Sequence, residues 1–232
     1  MKTSIKMSGE ERREAILKAV RVVFAEKGFE GTTTRELART AGVSEALLFK
    51  HFPDKEALYV AMLDDFAKDN NQKEIGERLA ALEPSTANLV LLVYALLARV
   101  IRRSRPESDE EAIRIRLLQR SMMGDGEFAR LLLRRRFSSL FLPKMEACIE
   151  AAIAAGDARP GLTSSSLMVW FTHHLAAMML LHLLPKKPIV DYGVSREQLV
   201  IEAVPFLLRG MGLTDAAIKK YYSPETLSRL VG

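Results

Sequence analysis

Between Thr32 and Leu58 the chain reads TTTRELARTAGVSEALLFKHFPDKEAL, two short helical runs around one glycine, and few backbone arrangements satisfy that pattern. Thr33 is placed to accept the amide of Glu36 while the Glu36 side chain reaches back, a capping box that starts a helix. Leu37 and Ala38 give this helix an apolar side, and Ala41 keeps its end small enough for another helix to cross closely. Gly42 stops it, since glycine takes the left-handed geometry that helix ends often need. Val43 is an apolar turn residue, and Ser44 caps a second helix from Glu45 to about His51. Leu48 and Phe52 face inward, leaving Glu45, Ala46, Leu47, Phe49 and Lys50 on or near the outer side. Pro53 and Asp54 close the second helix, and a third opens at Lys55.

A pair joined this way is a helix-turn-helix, whose second member enters the major groove of DNA. Helix, glycine, helix also occurs in many proteins that bind no DNA, so the flanking phrases decide. TTTRELA at the opening and FKHFPDKEAL at the end resemble the DNA-binding domain of the TetR family of bacterial transcriptional regulators. The likeness runs from about Glu11 to Leu63 and includes AILKAVRVVFAEKGFEGTTTRELARTAGVSEALLFKHFPDKEAL. It implies a first helix, about Gly9 to Lys27, packed behind the motif. The residues agree: Ile16, Ala19, Val20, Val23 and Phe24 form one stripe, and Ser8 with Glu11 makes a second capping box.

The resemblance further implies that Thr32, Thr34 and Lys55 contact phosphates. Hydroxyls and amides at helix N-termini, with one ammonium, suit that role because they fix register without reading sequence. Base reading then falls to Glu45, Ala46, Leu47 and Lys50, with Ser44, Phe49 and His51 beside them. Two departures from the family matter. Tyrosine is common where this chain has Phe49, and its hydroxyl usually touches phosphate. Glu45 is acidic, and two readings stand open: acceptance from a cytosine amino group, or a solvated acid that favours the helix dipole.

With 232 residues and 26.0 kDa, the chain has room for a small reading head and a larger second domain. The division expected is residues 1–54 for the DNA-binding domain and 55–232 for the remainder. The single Cys148 excludes an internal disulfide framework and fits a reducing, cytoplasmic setting. The first residues pass from basic to acidic without an apolar run, so no signal peptide is expected. Leu167 to Leu184, the most apolar stretch, is interrupted by His173, His174 and His182 and is read as a buried helix, without a membrane partner. Net charge is +5, yet residues 1–60 hold eleven Lys and Arg against nine acids. DNA binding must therefore rely on placed contacts more than on a broad basic field.

The whole chain reads as all-α, since no convincing strand alternation follows the head. One long helix is expected from Lys55 past Phe66, with Gly76 late in it and Pro84 as boundary. Helical patterns follow over Thr86–Ser104, from Ser108 to near Gly124, and from Gly126 to Ala155 with a kink or break at Pro143. The last two long helices, about Thr163–Leu184 and Ser195–Met211, are apolar on more than one side. Such helices need two partners, their own core and another subunit. The family's corresponding pair forms a four-helix bundle with its copy, so the resemblance implies a homodimer on a palindromic operator, with half-sites about 34–36 Å apart. Short helices after Thr214 and Ser223 complete the tail.

The family also implies a small-molecule effector inside the second domain that releases DNA, hence a repressor. Met123, Phe137, Trp170, Phe171 and Met178 are candidates to line an apolar cavity, and Arg116, Arg120 and His174 to orient a ligand. Each has a plainer reading as core, dimer filler or solvated face. A helical enzyme is the rival class, prompted by the carboxylates of DDFAKD at Asp64 to Asp69. Their spacing does not match the DDxxD pattern of terpene synthases, and no His has a Glu three residues before it as a di-iron bundle requires. No catalytic residue, metal or cofactor is assigned.

Overall fold

The computed structural model describes residues 7–67, 72–102, 104, 108–161 and 163–231. Its helices are α1 (Gly9–Lys27), α2 (Thr34–Thr40), α3 (Glu45–His51), α4 (Lys55–Ala67), α5 (Gln72–Ala81), α6 (Thr86–Arg102), α7 (Asp109–Met123), α8 (Glu127–Leu132), α9 (Leu142–Ala154), α10 (Ser165–Leu183), α11 (Arg196–Gly210), α12 (Asp215–Tyr221) and α13 (Pro224–Val231). The protein is all-α; among the described residues there is no strand, and one isolated bridge pairs Ala158 with Leu213. The run expected as one helix from Lys55 past Phe66 is described as α4 and α5, and residues 68–71 between them lie outside the described residues.

Caps set most of these boundaries. Ser8, Thr33, Ser44, Ser108, Ser164, Ser195 and Thr214 each accept the amide three residues on. The Ser8–Glu11 capping box is complete. At Thr33 only half of it forms, because the Glu36 carboxylate takes Lys27 Nζ of α1 at 2.6 Å instead. An ion pair to a neighbouring helix is a stronger partner than a backbone amide.

The expected interruption near Pro143 takes the form of a change in helix type: Leu133–Phe141 is π-helical, and Pro143 sits in the first turn of α9. Proline donates no amide and its ring crowds the carbonyl four residues back, so the α ladder cannot run through 139–143 unchanged.

The chain divides into two compact units. The first comprises residues 1–72 and 108–135, so α4, α7 and α8 pack with α1–α3 rather than beyond a boundary at residue 54. α1 is buried on a wide front, with Leu17 and Ala25 added to Ile16, Val20, Val23 and Phe24 of the expected stripe and Ala19 half-buried, because both α4 and α7 lie against it. Phe66 of α4 is 1% exposed and stacks nearly parallel on Phe128 of α8, ring centres 6.3 Å apart. The guanidinium carbons of Arg21 (α1) and Arg114 (α7) lie 4.4 and 4.9 Å from the Phe66 ring centre. Arg21 also pairs with Asp65 of α4 at 2.7 Å and Glu110 of α7 at 2.9 Å. One arginine thus ties three helices.

The second unit, residues 73–107 and 136–232, is built around α6, which packs against α9, α10, α11, α12 and α13. Leu89, Val90, Val93 and Leu97 of α6 are buried with Met145, Cys148 and Ile149 of α9, Val169 and Ala176 of α10, and Val204 and Leu208 of α11. The tail is docked as part of this core. Arg159 and Thr214 amides bond to Gly212 and Asp157 carbonyls, and the Tyr222 hydroxyl donates to Ile201 O at 2.8 Å. Burial, with Tyr94 nearby, pushes the Tyr222 phenol above its ordinary pKa. α10 is long and apolar enough, by length and composition, to cross a membrane, with mean hydropathy 1.3. It packs one side on α6 and α9 and leaves Leu167, Phe171 and Met178 exposed on another.

Because Phe66 joins four helices of the first unit, Phe66→Ala is expected to lower unfolding free energy by about 3–5 kcal/mol, the usual cost of emptying a buried phenylalanine site. Phe171→Ala, on the exposed side of α10, is expected to cost far less in the monomer. Urea unfolding of the two variants measures the difference.

Candidate nucleic-acid interface

The interface begins with the loop from Gly28 to Thr33. Gly28 caps α1 with φ +74°, and a Cβ at Gly31 would lie 2.4 Å from the Lys27 carbonyl oxygen, so both positions exclude side chains. Thr32 is 2% exposed, and its hydroxyl donates to Gly28 O at 2.6 Å. The hydroxyl expected at a phosphate is therefore turned inward, because the loop has an α1-end carbonyl to satisfy. Lys55 at the start of α4 donates to Phe29 O at 3.0 Å and Thr32 O at 3.1 Å, with its ammonium 4.2 Å from the Phe29 ring centre. An ammonium has three protons, so one remains for a phosphate. Phe29 packs on Tyr59 of α4, and Tyr59 on Phe24 of α1, with ring centres 5.2 and 4.9 Å apart.

α2 and α3 follow the expected pattern closely. Gly42 has φ +67°, the Val43 amide donates to Ala38 O at 3.0 Å, and Val43 packs on the core. Leu48 and Phe52 are buried at 2% and 3% exposure. Glu45, Ala46, Phe49 and Lys50 are exposed, with Leu47 and His51 half-buried beside them. Ser44 Oγ accepts the Leu47 amide, which leaves its own O–H able to donate outward. Thr34 is half-exposed at the start of α2, and its hydroxyl donates to Glu45 Oε2 at 3.0 Å. Of the three expected phosphate anchors, Lys55 keeps a proton to give, Thr34 holds Glu45, and Thr32 is internal. Sequence reasoning missed Phe29, whose carbonyl and ring seat Lys55, and Gly31, which the Lys27 carbonyl crowds; their signal was the KGFEG phrase after an apolar helix.

The residues expected to bind a ligand fall in both units. Arg116, Arg120 and Met123 lie on α7 in the first unit, the others in the second. Arg120 donates to the Ala25 carbonyl at 2.9 Å and also to that of Glu26, closing the C-terminal end of α1, and Met123 is 90% exposed. Orphan carbonyls at a helix end attract a guanidinium, which explains why Arg120 turns to α1. In the second unit Phe137, Trp170 and His174 do come together, with Phe141 and His173. Trp170 lies 4.9 Å from Phe137 and 5.7 Å from His174, and Phe137 lies 4.4 Å from His173 between ring centres. Phe171 and Met178 face outward at 58% and 47% exposure. Burial, with the nearby His174, lowers the His173 pKa from 6.5 to about 4. The carboxylates of Asp64 and Asp65 are each held by an arginine, Arg135 and Arg21; Asp69 lies outside the described residues.

Residues 16–62 match the family profile described as bacterial regulatory proteins, tetR family. The HTH-type transcriptional repressor AcnR of Corynebacterium diphtheriae is 49% identical over 51 residues, covering 22% of this chain and 27% of AcnR. The HTH-type transcriptional regulator RutR of Escherichia coli K12 is 46% identical over 52 residues, covering 22% and 24%. The chain thus spans about a quarter of the length of the curated relatives it matches. Among solved structures, native NalD, the secondary repressor of the MexAB-OprM multidrug efflux pump in Pseudomonas aeruginosa, has a TM-score of 0.59 at 21% identity, covering 90% of this chain and 100% of that one. AibR in complex with isovaleryl coenzyme A and operator DNA has a TM-score of 0.55 at 21% identity, covering 84% and 97%. These likenesses extend the fold over both units.

Two outcomes are expected from this geometry. Thr32→Val leaves Gly28 O without its partner inside the loop and is expected to lower stability by about 1–3 kcal/mol, read by urea unfolding. For His173 the native state holds the neutral ring while the unfolded chain protonates near 6.5. Its contribution is therefore complete above pH 6.5 and is lost as pH falls toward 4. The melting temperature should decline across that window, and His173→Phe should flatten the decline; Trp170, the single tryptophan, reports unfolding by its emission.

Proposed function

We propose, from the match of residues 16–62 to the tetR family of bacterial regulatory proteins, a cytoplasmic transcriptional repressor that binds a palindromic operator as a homodimer and releases it on binding a small molecule. The observation that carries the DNA reading is the outer face of α3, which presents Glu45, Ala46, Phe49 and Lys50 from a helix whose inner side is buried by Leu48. Exposed, differently functionalised side chains on a rigid short helix are what base readout in a major groove requires. Lys55, with Ser44, supplies backbone anchoring beside it. In this division of labour α2 and α3, with Lys55 at the start of α4, read DNA, and the second unit serves pairing and effector binding.

Dimerisation is assigned to α10 and α11. Leu167, Phe171 and Met178 recur at helical spacing on α10, and Phe206 on α11 is 68% exposed. An apolar face of this kind on a small domain is a surface that another copy covers. The effector is assigned to the second unit, where Phe137, Trp170 and His173 form an aromatic cluster suited to an apolar or planar group. AibR, crystallised with isovaleryl coenzyme A and operator DNA, shares the fold and supports a design in which one chain takes both kinds of ligand. Release then requires the effector to bind one dimer conformation more tightly than the other.

Selection of bound sequences from random DNA is expected to recover an inverted repeat. Recovery of no enriched sequence would sink the DNA reading. Charge placed on the pairing face, Phe171→Glu with Phe206→Glu, is expected to give a monomer in analytical ultracentrifugation and weaken operator binding by about 10²–10⁴-fold, the usual loss when two linked contacts become one.

A further inference from the structure

On the two motif helices the acidic side chains are Glu36 and Glu45. Glu36 is neutralised by Lys27 at 2.6 Å. Glu45 is different: its described partner is the Thr34 hydroxyl at 3.0 Å, a neutral donor that orients the carboxylate and leaves its charge in place. Glu45 is exposed, is the first residue of α3, and has Ala46 beside it, a side chain too small to cover it. An un-neutralised carboxylate on a surface that meets a polyanion weakens association with every DNA sequence unless some sequence gives it a donor. In the major groove that donor is the cytosine N4 amino group, and the first turn of a recognition helix is where base edges are met.

We propose that Glu45, positioned by Thr34, is the specificity-determining residue that reads a cytosine in each half-site and penalises DNA lacking one there. The inference rests on the DNA-binding reading above. Thr34 acts through Glu45: its single hydroxyl proton is engaged by Oε2, so it holds one rotamer of the carboxylate and is not a phosphate donor while it does so. The remaining lone pairs of the carboxylate stay available to the base. Both consequences have a sign. Removing the negative charge should strengthen binding to arbitrary DNA and flatten preference at one position, whereas loss of an ordinary phosphate contact weakens all sequences alike.

The test uses the full-length protein and three variants, Glu45→Gln, Glu45→Ala and Thr34→Val, each checked for wild-type helicity and melting behaviour. Each is put through selection from random DNA and titrated against the wild-type site and a scrambled duplex at fixed salt. Both Glu45 variants are expected to lose about tenfold of the preference for a C·G pair at one position per half-site. They should also bind the scrambled duplex about threefold more tightly or better. Thr34→Val should lose part of the same preference at the same position. If the wild-type protein enriches a site and both Glu45 variants enrich it with unchanged preferences, the inference is overturned while the DNA-binding reading stands. If Thr34→Val weakens all duplexes equally with preferences intact, its positioning role is overturned. Should the wild-type protein enrich nothing, the underlying reading falls and this inference with it.

Discussion

The ammonium of Lys55 decides where the reading head begins. Two main-chain carbonyls, Phe29 O and Thr32 O, converge on it, and the Phe29 ring lies against it. Half-buried cations are tolerated only when their protons are bonded, so the first turn of α4 and the loop before α2 cannot separate without exposing the cost of that burial. Everything downstream inherits the constraint. Thr33 caps α2 in a position set by this loop, and Gly42 and Ser44 set α3 from α2. Lys55 is therefore structural first, and any contact to a phosphate uses its remaining proton.

The head is held from behind by residues far away in sequence. Arg120 closes the end of α1, Arg21 bridges to Asp65 and Glu110, and Arg114 meets Phe66. Buried side chains of α4, α7 and α8 complete the same core as those of α1–α3. A displacement of α7 or α8 is thus felt in α1 and α4 through packed side chains, which transmit small shifts because close-packed cores are stiff. Arg114, Arg120 and Arg135 are all consumed by this internal bracing.

Local rules made much of this legible. Caps and glycines gave the borders of α1, α2, α3 and α7 because an orphan amide and a left-handed turn are both satisfied within a few residues. Long-range pairing was not legible. Nothing in Thr32 itself says that its hydroxyl bonds Gly28 O, or that Arg120 reaches α1 rather than a ligand, since both depend on which orphan carbonyls are close in space. The same holds for the candidate ligand residues: apolar spacing on α10 predicts two covered sides but not which residues face the interior. Trp170 turned toward Phe137, and Phe171, its neighbour in sequence, turned outward.

Charge explains why so spare a head is coherent. With eleven basic against nine acidic residues in positions 1–60, and with Lys27 and Lys55 already engaged internally, few cations remain to attract phosphate. Phe49 adds contact area but no hydrogen bond. Weak, nearly neutral attraction lowers affinity for arbitrary DNA along with affinity for the correct site, and only the correct site recovers it through base contacts. If this head reads DNA as proposed, it gains discrimination at the expense of strength, and the proposed dimer restores that strength by joining two of them. On the proposed reading, the exposed apolar side of α10 and the un-neutralised Glu45 on α3 are two parts of one arrangement, in which pairing would supply the affinity that the reading surface gives up.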